Sequence, residues 1–171
     1  MGAFLLAPEP YTDTRGAFVR TFCEREFQER GLETRIAQCS FSRNTSRGVL
    51  RGLHYQAAPH GETKLVRCVL GAIYDVIVDM RPDSPTFQCW DAFELSRENA
   101  HLLYIPPYVA HGFQTLADET EVFYQISEFY HPESARGIRW DDPSLRIDWP
   151  VNPPILSERD ASYADLHWGA A

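Results

Sequence analysis

The chain is short of cysteine, of basic residues, of helix and of long apolar runs. Its four cysteines, Cys23, Cys39, Cys68 and Cys89, lie far apart and form no C-x-x-C pair. They are expected as reduced core residues of a cytosolic protein. Sixteen Lys and Arg against 24 Asp and Glu give a net charge of -8. That leaves no basic surface to neutralise phosphates and excludes a non-specific nucleic-acid partner. A local basic pocket for an anionic small molecule remains compatible with it. No apolar run approaches the length of a membrane span, so no membrane partner is expected. The N-terminal MGAFLLAPEPYTD has neither the basic n-region nor the A-x-A site of a signal peptide. No repeat, linker or low-complexity segment interrupts the chain. Only Glu24–Arg30, stopped by Gly31, reads as a convincing helix in the first half, and its charges read as a solvated face.

What is there is apolar and aromatic. Of the 171 residues, 44% are hydrophobic and 13% aromatic, enough for a packed core and most naturally one domain spanning 1–171. Short runs with Gly and Pro punctuation predict strands at 3–7, 17–22, 38–44, 49–56, 63–70 and 72–80. Others follow at 88–95, 102–105, 111–116 and 121–129, with one short helix near the C-terminus. Many short strands and little helix indicate an all-β sandwich or barrel of the jelly-roll kind.

The chemistry concentrates in Gly48–Gly71, GVLRGLHYQAAPHGETKLVRCVLG. Strict alternation puts Val49, Arg51, Leu53 and Tyr55 on one side of the first strand, and Leu50, Gly52, His54 and Gln56 on the other. In the second, Lys64, Val66 and Cys68 oppose Leu65, Arg67 and Val69. Cations inside half-apolar strands are costly unless paired or used. Arg51, Lys64 and Arg67 therefore suit an anionic substrate or a developing oxyanion, with His54 as the candidate base. His111, in PPYVAHGF, joins His54 in raising a metal reading of the cupin kind. The first motif reads His54-Tyr55-Gln56 rather than H-x-H, however, and no metal is expected. Tyr124 and Tyr130 share a parity if VFYQISEFY is one regular strand, so both could face one pocket. Asp160, taken alone, reads as a solvated turn residue.

The segments LRGLHYQ (50–56), KLVR (64–67), DSPT (83–86), Ile105-Pro106, AHGF (110–113) and the Gly137–Pro143 block together resemble the dTDP-4-dehydrorhamnose 3,5-epimerase family, from about Thr12 to Asp160. The resemblance implies a cupin-type double-stranded β-helix (jelly roll) with a few short helices. It also implies a homodimer in which strands cross between subunits, a dTDP-linked 4-keto-6-deoxyhexose as substrate, and no cofactor. By that resemblance His54 is the general base, Asp160 its carboxylate partner, Lys64 the group stabilising an enolate at the C4 oxygen, and Tyr124 the acid on the opposite face. Tyr130, Arg15, Arg51 and His111 are implied as sugar, nucleotide or diphosphate contacts. Arg20 and Gln38 occupy positions that touch the sugar or nucleotide in relatives. The chain departs from the usual pattern at Arg20, where glutamate is common, at Gln38-Cys39-Ser40, where Gln-x-Asn is common, and at Gln125, where lysine often follows the tyrosine. These departures bear on the nucleotide and on C3-only against C3 and C5 action. A sugar ketoisomerase and a non-catalytic sugar-nucleotide-binding cupin are the other classes.

Overall fold

The computed structural model describes residues 2–166. β-branched and aromatic runs cut by Gly, Pro and Asp turns give these described residues twelve strands and two short helices. In chain order these are β1 (Phe4–Leu6), β2 (Tyr11–Asp13), β3 (Gly16–Phe18), α1 (Glu24–Glu29), β4 (Gln38–Asn44), β5 (Leu50–Gln56), β6 (Lys64–Leu70) and β7 (Ala72–Asp79). They continue with β8 (Trp90–Ser96), β9 (Leu102–Ile105), β10 (Val109–Thr115), β11 (Thr120–Ile126), β12 (Ala135–Gly137) and α2 (Glu158–Ala161).

Two five-stranded antiparallel sheets form, ordered β1-β9-β6-β11-β4 and β12-β5-β10-β7-β8, with β2-β3 as a separate hairpin. Successive strands mostly leave for the other sheet, and the result is an all-β jelly roll. Between the sheets, Val66, Cys68 and Val122 from the first pack against Ile73, Ile77 and Phe113 from the second. Full burial of each such side chain stabilises the fold by about 1.5–3 kcal/mol. The far face of the second sheet is also covered: Val76, Val78 and Ala110 meet Ile138, Leu145 and Trp149 of the C-terminal segment. Both faces of β7 are thus dry, which is why 72–79 reads as an unbroken β-branched run rather than an alternation. On the first sheet, α1 lays Phe27 over Leu65, Leu102 and Tyr104.

Several local expectations change. The strand expected at 17–22 is only Gly16–Phe18, paired in a hairpin with Tyr11–Asp13, because no neighbour continues the ladder. The strand expected at 121–129 ends at Ile126, so Tyr124 and Tyr130 do not share one. Of the cysteines, all free, only Cys68 is buried, while Cys39 and Cys89 are exposed.

The most consequential change is in β5. His111 of β10 pairs with His54, yet Phe113 pairs with Arg51, so two steps on β10 match three on β5. This bulge shifts parity by one residue. Leu50 and Leu53 both fall into the core cluster of the outer face, and Arg51 and His54, expected on opposite sides, both face the space between the sheets. Gly52 makes it possible: its φ is +134°, and a Cβ there would sit 2.5 Å from Cα of Gly112. Two glycines facing each other across the ladder allow the backbones this close.

Candidate active site

The jelly roll encloses a cavity of about 420 Å³. Its walls come from both sheets and from the C-terminal tail. β5 supplies Arg51 and His54, β10 supplies His111 and Phe113, β6 supplies Lys64, β11 supplies Tyr124 and Ile126, and β4 supplies Ser40. The tail adds Ser157, Arg159 and Asp160. Inward positions on antiparallel strands recur every second residue, which is why Tyr124 of β11 stands opposite Ser40 of β4 and two residues from Ile126.

Asp160 arrives by a defined route. Ile155 bridges in parallel to Val49 at the start of β5. Its carbonyl accepts from the Leu50 N–H at 2.9 Å, and its own N–H donates to Gly48 at 2.8 Å. Ser157 then caps α2 by accepting from the Asp160 N–H at 3.1 Å. Asp160 is therefore 5% exposed, and its Oδ1 lies 2.7 Å from Nε2 of His54. Burial by itself would raise the Asp160 carboxyl. The hydrogen bond and charge of His54, the Gly52 N–H and Ser157 together outweigh it and hold the group below the usual carboxylate range. Asp160 is a buried carboxylate locked onto an imidazole, not the solvated turn residue that its neighbourhood in sequence suggests.

Lys64, the only lysine in the chain, is 8% exposed. Its Nζ donates to the His54 carbonyl at 3.2 Å and pairs with Glu62 at 2.9 Å. Arg51 donates from Nε to Oδ1 of the buried Asn44 at 2.8 Å. His111 Nε2 lies 2.5 Å from Oδ1 of Asp75, whose other oxygen is buried and has no hydrogen-bond partner among the described residues. The Tyr124 phenol is pushed well above its usual range, first by burial and then by the Asp75 charge, against smaller opposing effects of Ser42 and Arg51. It therefore stays protonated at neutral pH and can only donate a proton. Three cations and two imidazoles on these walls make the cavity locally basic inside an acidic protein, which suits an anionic ligand.

The cavity thus brings together His54, Asp160, Lys64, Tyr124, Arg51 and His111. Arg15 and Arg20 do not line it. Arg15 sits in the β2–β3 hairpin paired with Asp13, and Arg20 pairs with Glu26 near α1. Gln38 and Tyr130 lie outside the lining, joined by the Tyr130 N–H donating to Gln38 Oε1 at 3.0 Å. Tyr130 is 57% exposed and hydrogen-bonds Arg159, which, with Tyr163, holds that guanidinium above its usual range. Arg159, Ser157 and Asp75 are the residues that sequence reasoning missed. The Ser157-x-x-Asp160 spacing is a helix-cap signature that could have placed Arg159 and Asp160 on one short helix. Asp75 was visible only as a carboxylate inside a β-branched strand.

A jelly roll whose interior holds a carboxylate-backed histidine, a lysine and a protonated tyrosine, with no H-x-H on β5, defines a cupin-type protein equipped for acid–base chemistry. A family model for dTDP-4-dehydrorhamnose 3,5-epimerase matches residues 1–167. The chain belongs to that family. It is 49% identical over 169 residues to the dTDP-4-dehydrorhamnose 3,5-epimerase of Methanothermobacter thermautotrophicus, covering 96% of this chain and 90% of that one. A dTDP-4-dehydrorhamnose 3-epimerase of Streptomyces niveus is 39% identical over 160 residues, covering 93% and 77%. The crystal structure of dTDP-4-dehydrorhamnose 3,5-epimerase from Bacillus anthracis, with TDP and PPi bound, superposes with a TM-score of 0.94 at 41% identity, covering 96% of this chain and 94% of that one. Among the described residues no helix is long and apolar enough to cross a membrane.

Proposed function

We propose that this protein is an epimerase of a dTDP-linked 4-keto-6-deoxyhexose, inverting C3 and C5 through an enolate and so converting dTDP-4-dehydro-6-deoxyglucose to dTDP-4-dehydrorhamnose. The observation that carries the reading is His54 on one sheet, backed by Asp160 of α2, facing one cavity with Tyr124 on the other sheet.

A proton next to a ketone becomes removable only when the oxyanion formed at C4 is stabilised in the same step. Nε2 of His54 is committed to Asp160, so Nδ1 is the nitrogen left to take the proton, and Asp160 stabilises the imidazolium that results. Lys64 brings the positive charge to the C4 oxygen from a nearly buried position, where it acts more strongly than it would in water. Tyr124 returns a proton from the opposite face. Inversion needs donor and acceptor on opposite faces of the sugar ring, and strands in facing sheets supply that. Arg51 and His111, on the cavity wall, contact the sugar or diphosphate. Tyr130 and Gln38 hold the outer part of the nucleotide. The reading invokes side chains alone, with no cofactor or catalytic metal, in a single cupin-type domain of the cytoplasm.

The β2–β3 hairpin is exposed along its whole length, with Tyr11 and Phe18 more than 70% exposed. In the proposed homodimer this is the segment that crosses to the other subunit, carrying Arg15 towards that subunit's nucleotide. A monomer by light scattering would remove the dimer from the account. The family contains a 3-epimerase, so C3-only inversion is the second reading. To separate the two, the product of dTDP-4-dehydro-6-deoxyglucose is trapped by borohydride reduction and its sugar analysed. Rhamnose in the trapped pool supports inversion at both carbons. A pool of 6-deoxyhexoses inverted at C3 alone supports the narrower reading, and unchanged configuration refutes both.

A further inference from the structure

The loop joining β5 to β6 and the loop joining β11 to β12 meet outside the catalytic cavity. At the meeting point the imidazoles of His60 and His131 stack, with ring centroids 3.6 Å apart and planes 7° from parallel. Glu133 lies beside both: its Oε1 is 3.2 Å from Nδ1 of His131 and 4.0 Å from Nδ1 of His60. One donor atom from each of the three residues lies within 4.8 Å of the other two. None of the three lines the cavity that holds His54.

We propose that His60, His131 and Glu133 form a binding site for a borderline divalent transition metal of the zinc class, tying the two loops together. Two imidazoles and one carboxylate, with water in the remaining position, is a donor set that zinc accepts. Zinc–nitrogen and zinc–oxygen bonds of about 2.0 Å set tetrahedral ligands roughly 3.3 Å apart. The His131–Glu133 separation already matches that edge, and the His60–Glu133 separation closes by under about 1 Å to reach it. The lone pairs lie in the ring planes, so the stacked rings fan apart as the metal enters.

The surroundings favour a site over a chance stack. The side chain of Gln56, 2% exposed, fixes the backbone of both loops. Its Nε2 donates to the carbonyls of His60 and Phe129, each at 3.0 Å, and its Oε1 accepts from the His131 N–H at 2.6 Å. The buried Ser134 hydroxyl lies 2.9 Å from Nδ1 of His60, a contact that the metal replaces when that nitrogen ligates. The donors themselves stay open to solvent: the two imidazoles are each 30% exposed and Glu133 is 65% exposed. A metal can therefore enter without unfolding the chain.

The test titrates chelator-stripped full-length protein with zinc by calorimetry, and with cobalt by visible absorption, which reports tetrahedral ligation. Wild type should take up one equivalent per chain and gain thermal stability with zinc. His131→Ala and, separately, His60→Gln should each weaken that uptake by at least about tenfold and abolish the stability gain. Glu133→Gln should weaken it less. Each variant should keep the metal-free melting temperature of wild type, which shows that it folds. A Cys39→Ser/Cys89→Ser variant should bind as wild type does. Wild-type uptake no tighter than that of the two histidine variants, or uptake lost with the cysteines, would overturn the site.

Discussion

Replacing Asp160 with Asn tests the dyad while nearly preserving its shape. The amide keeps an oxygen able to accept from Nε2 of His54, so position and packing change little; what disappears is the negative charge. That charge matters most when His54 has taken the substrate proton. Two opposite charges about 4 Å apart interact by about 4 kcal/mol at an effective dielectric constant of 20. The His54 side chain is 40% exposed, against 7% for Asp160, so solvent screening brings the loss towards about 2–3 kcal/mol. That corresponds to a fall of roughly 30- to 160-fold in kcat. KM should stay within about threefold, since Asp160 acts through His54 in the transition state rather than in ground-state binding. Steady-state epimerisation followed by NMR, with melting temperature as a check on folding, measures both constants. A kcat within threefold of wild type, or a loss confined to KM, would refute the assigned role of Asp160.

Three further outcomes follow from the same geometry. Tyr124→Phe removes a proton donor worth about 10²- to 10⁴-fold but leaves the base intact, so substrate should exchange protons with solvent far faster than it inverts; equal loss of both processes would count against an acid role. Gly52→Ala forces a Cβ to within 2.5 Å of the Gly112 backbone at a φ that L-residues avoid, and should lower the melting temperature by several degrees and scatter Arg51 and His54; a wild-type melting curve would show that the bulge is not needed. Asp79, Asp142 and Asp160 all have carboxyl groups held below their unfolded values, so the stability they contribute is complete above about pH 4 and falls away as the pH drops through the folded-state values. Acid titration of the folded protein should show that loss, with a shallower slope for Asp160→Asn, and parallel curves for variant and wild type would contradict it.

Much of the fold is legible because buried strands carry their signal locally. The β-branched run of β7 and the alternation of Lys64, Val66 and Cys68 in β6 each follow from one sequence window. The errors arise where a strand depends on a distant neighbour. Strict alternation in 49–56 places Arg51 and His54 on opposite faces, and only the glycine pairing across β5 and β10 reverses that. An isolated glycine inside a strand pattern is a bulge signal, and Gly52 carried it. Tyr130 falls outside the cavity lining because the β11 ladder stops at Ile126. In the tail, α2 is too short for periodicity to reveal, and the hydrogen bonds of Ile155 to Gly48 and Leu50, not local sequence, bring Asp160 to His54. Exposed cysteines in β4 and before β8 look apolar in sequence because edge position cannot be read from composition.

The central claim is that one carboxylate-backed imidazole and one phenol exchange protons at both carbons flanking the C4 ketone. The direct measurement is NMR of dTDP-4-dehydro-6-deoxyglucose incubated with the protein in heavy water. The account predicts deuterium at C3 and C5 of the product, at rates that fall together in His54→Ala and do not change when the protein is stripped with a chelator. A folded protein that leaves either carbon without deuterium would contradict the account.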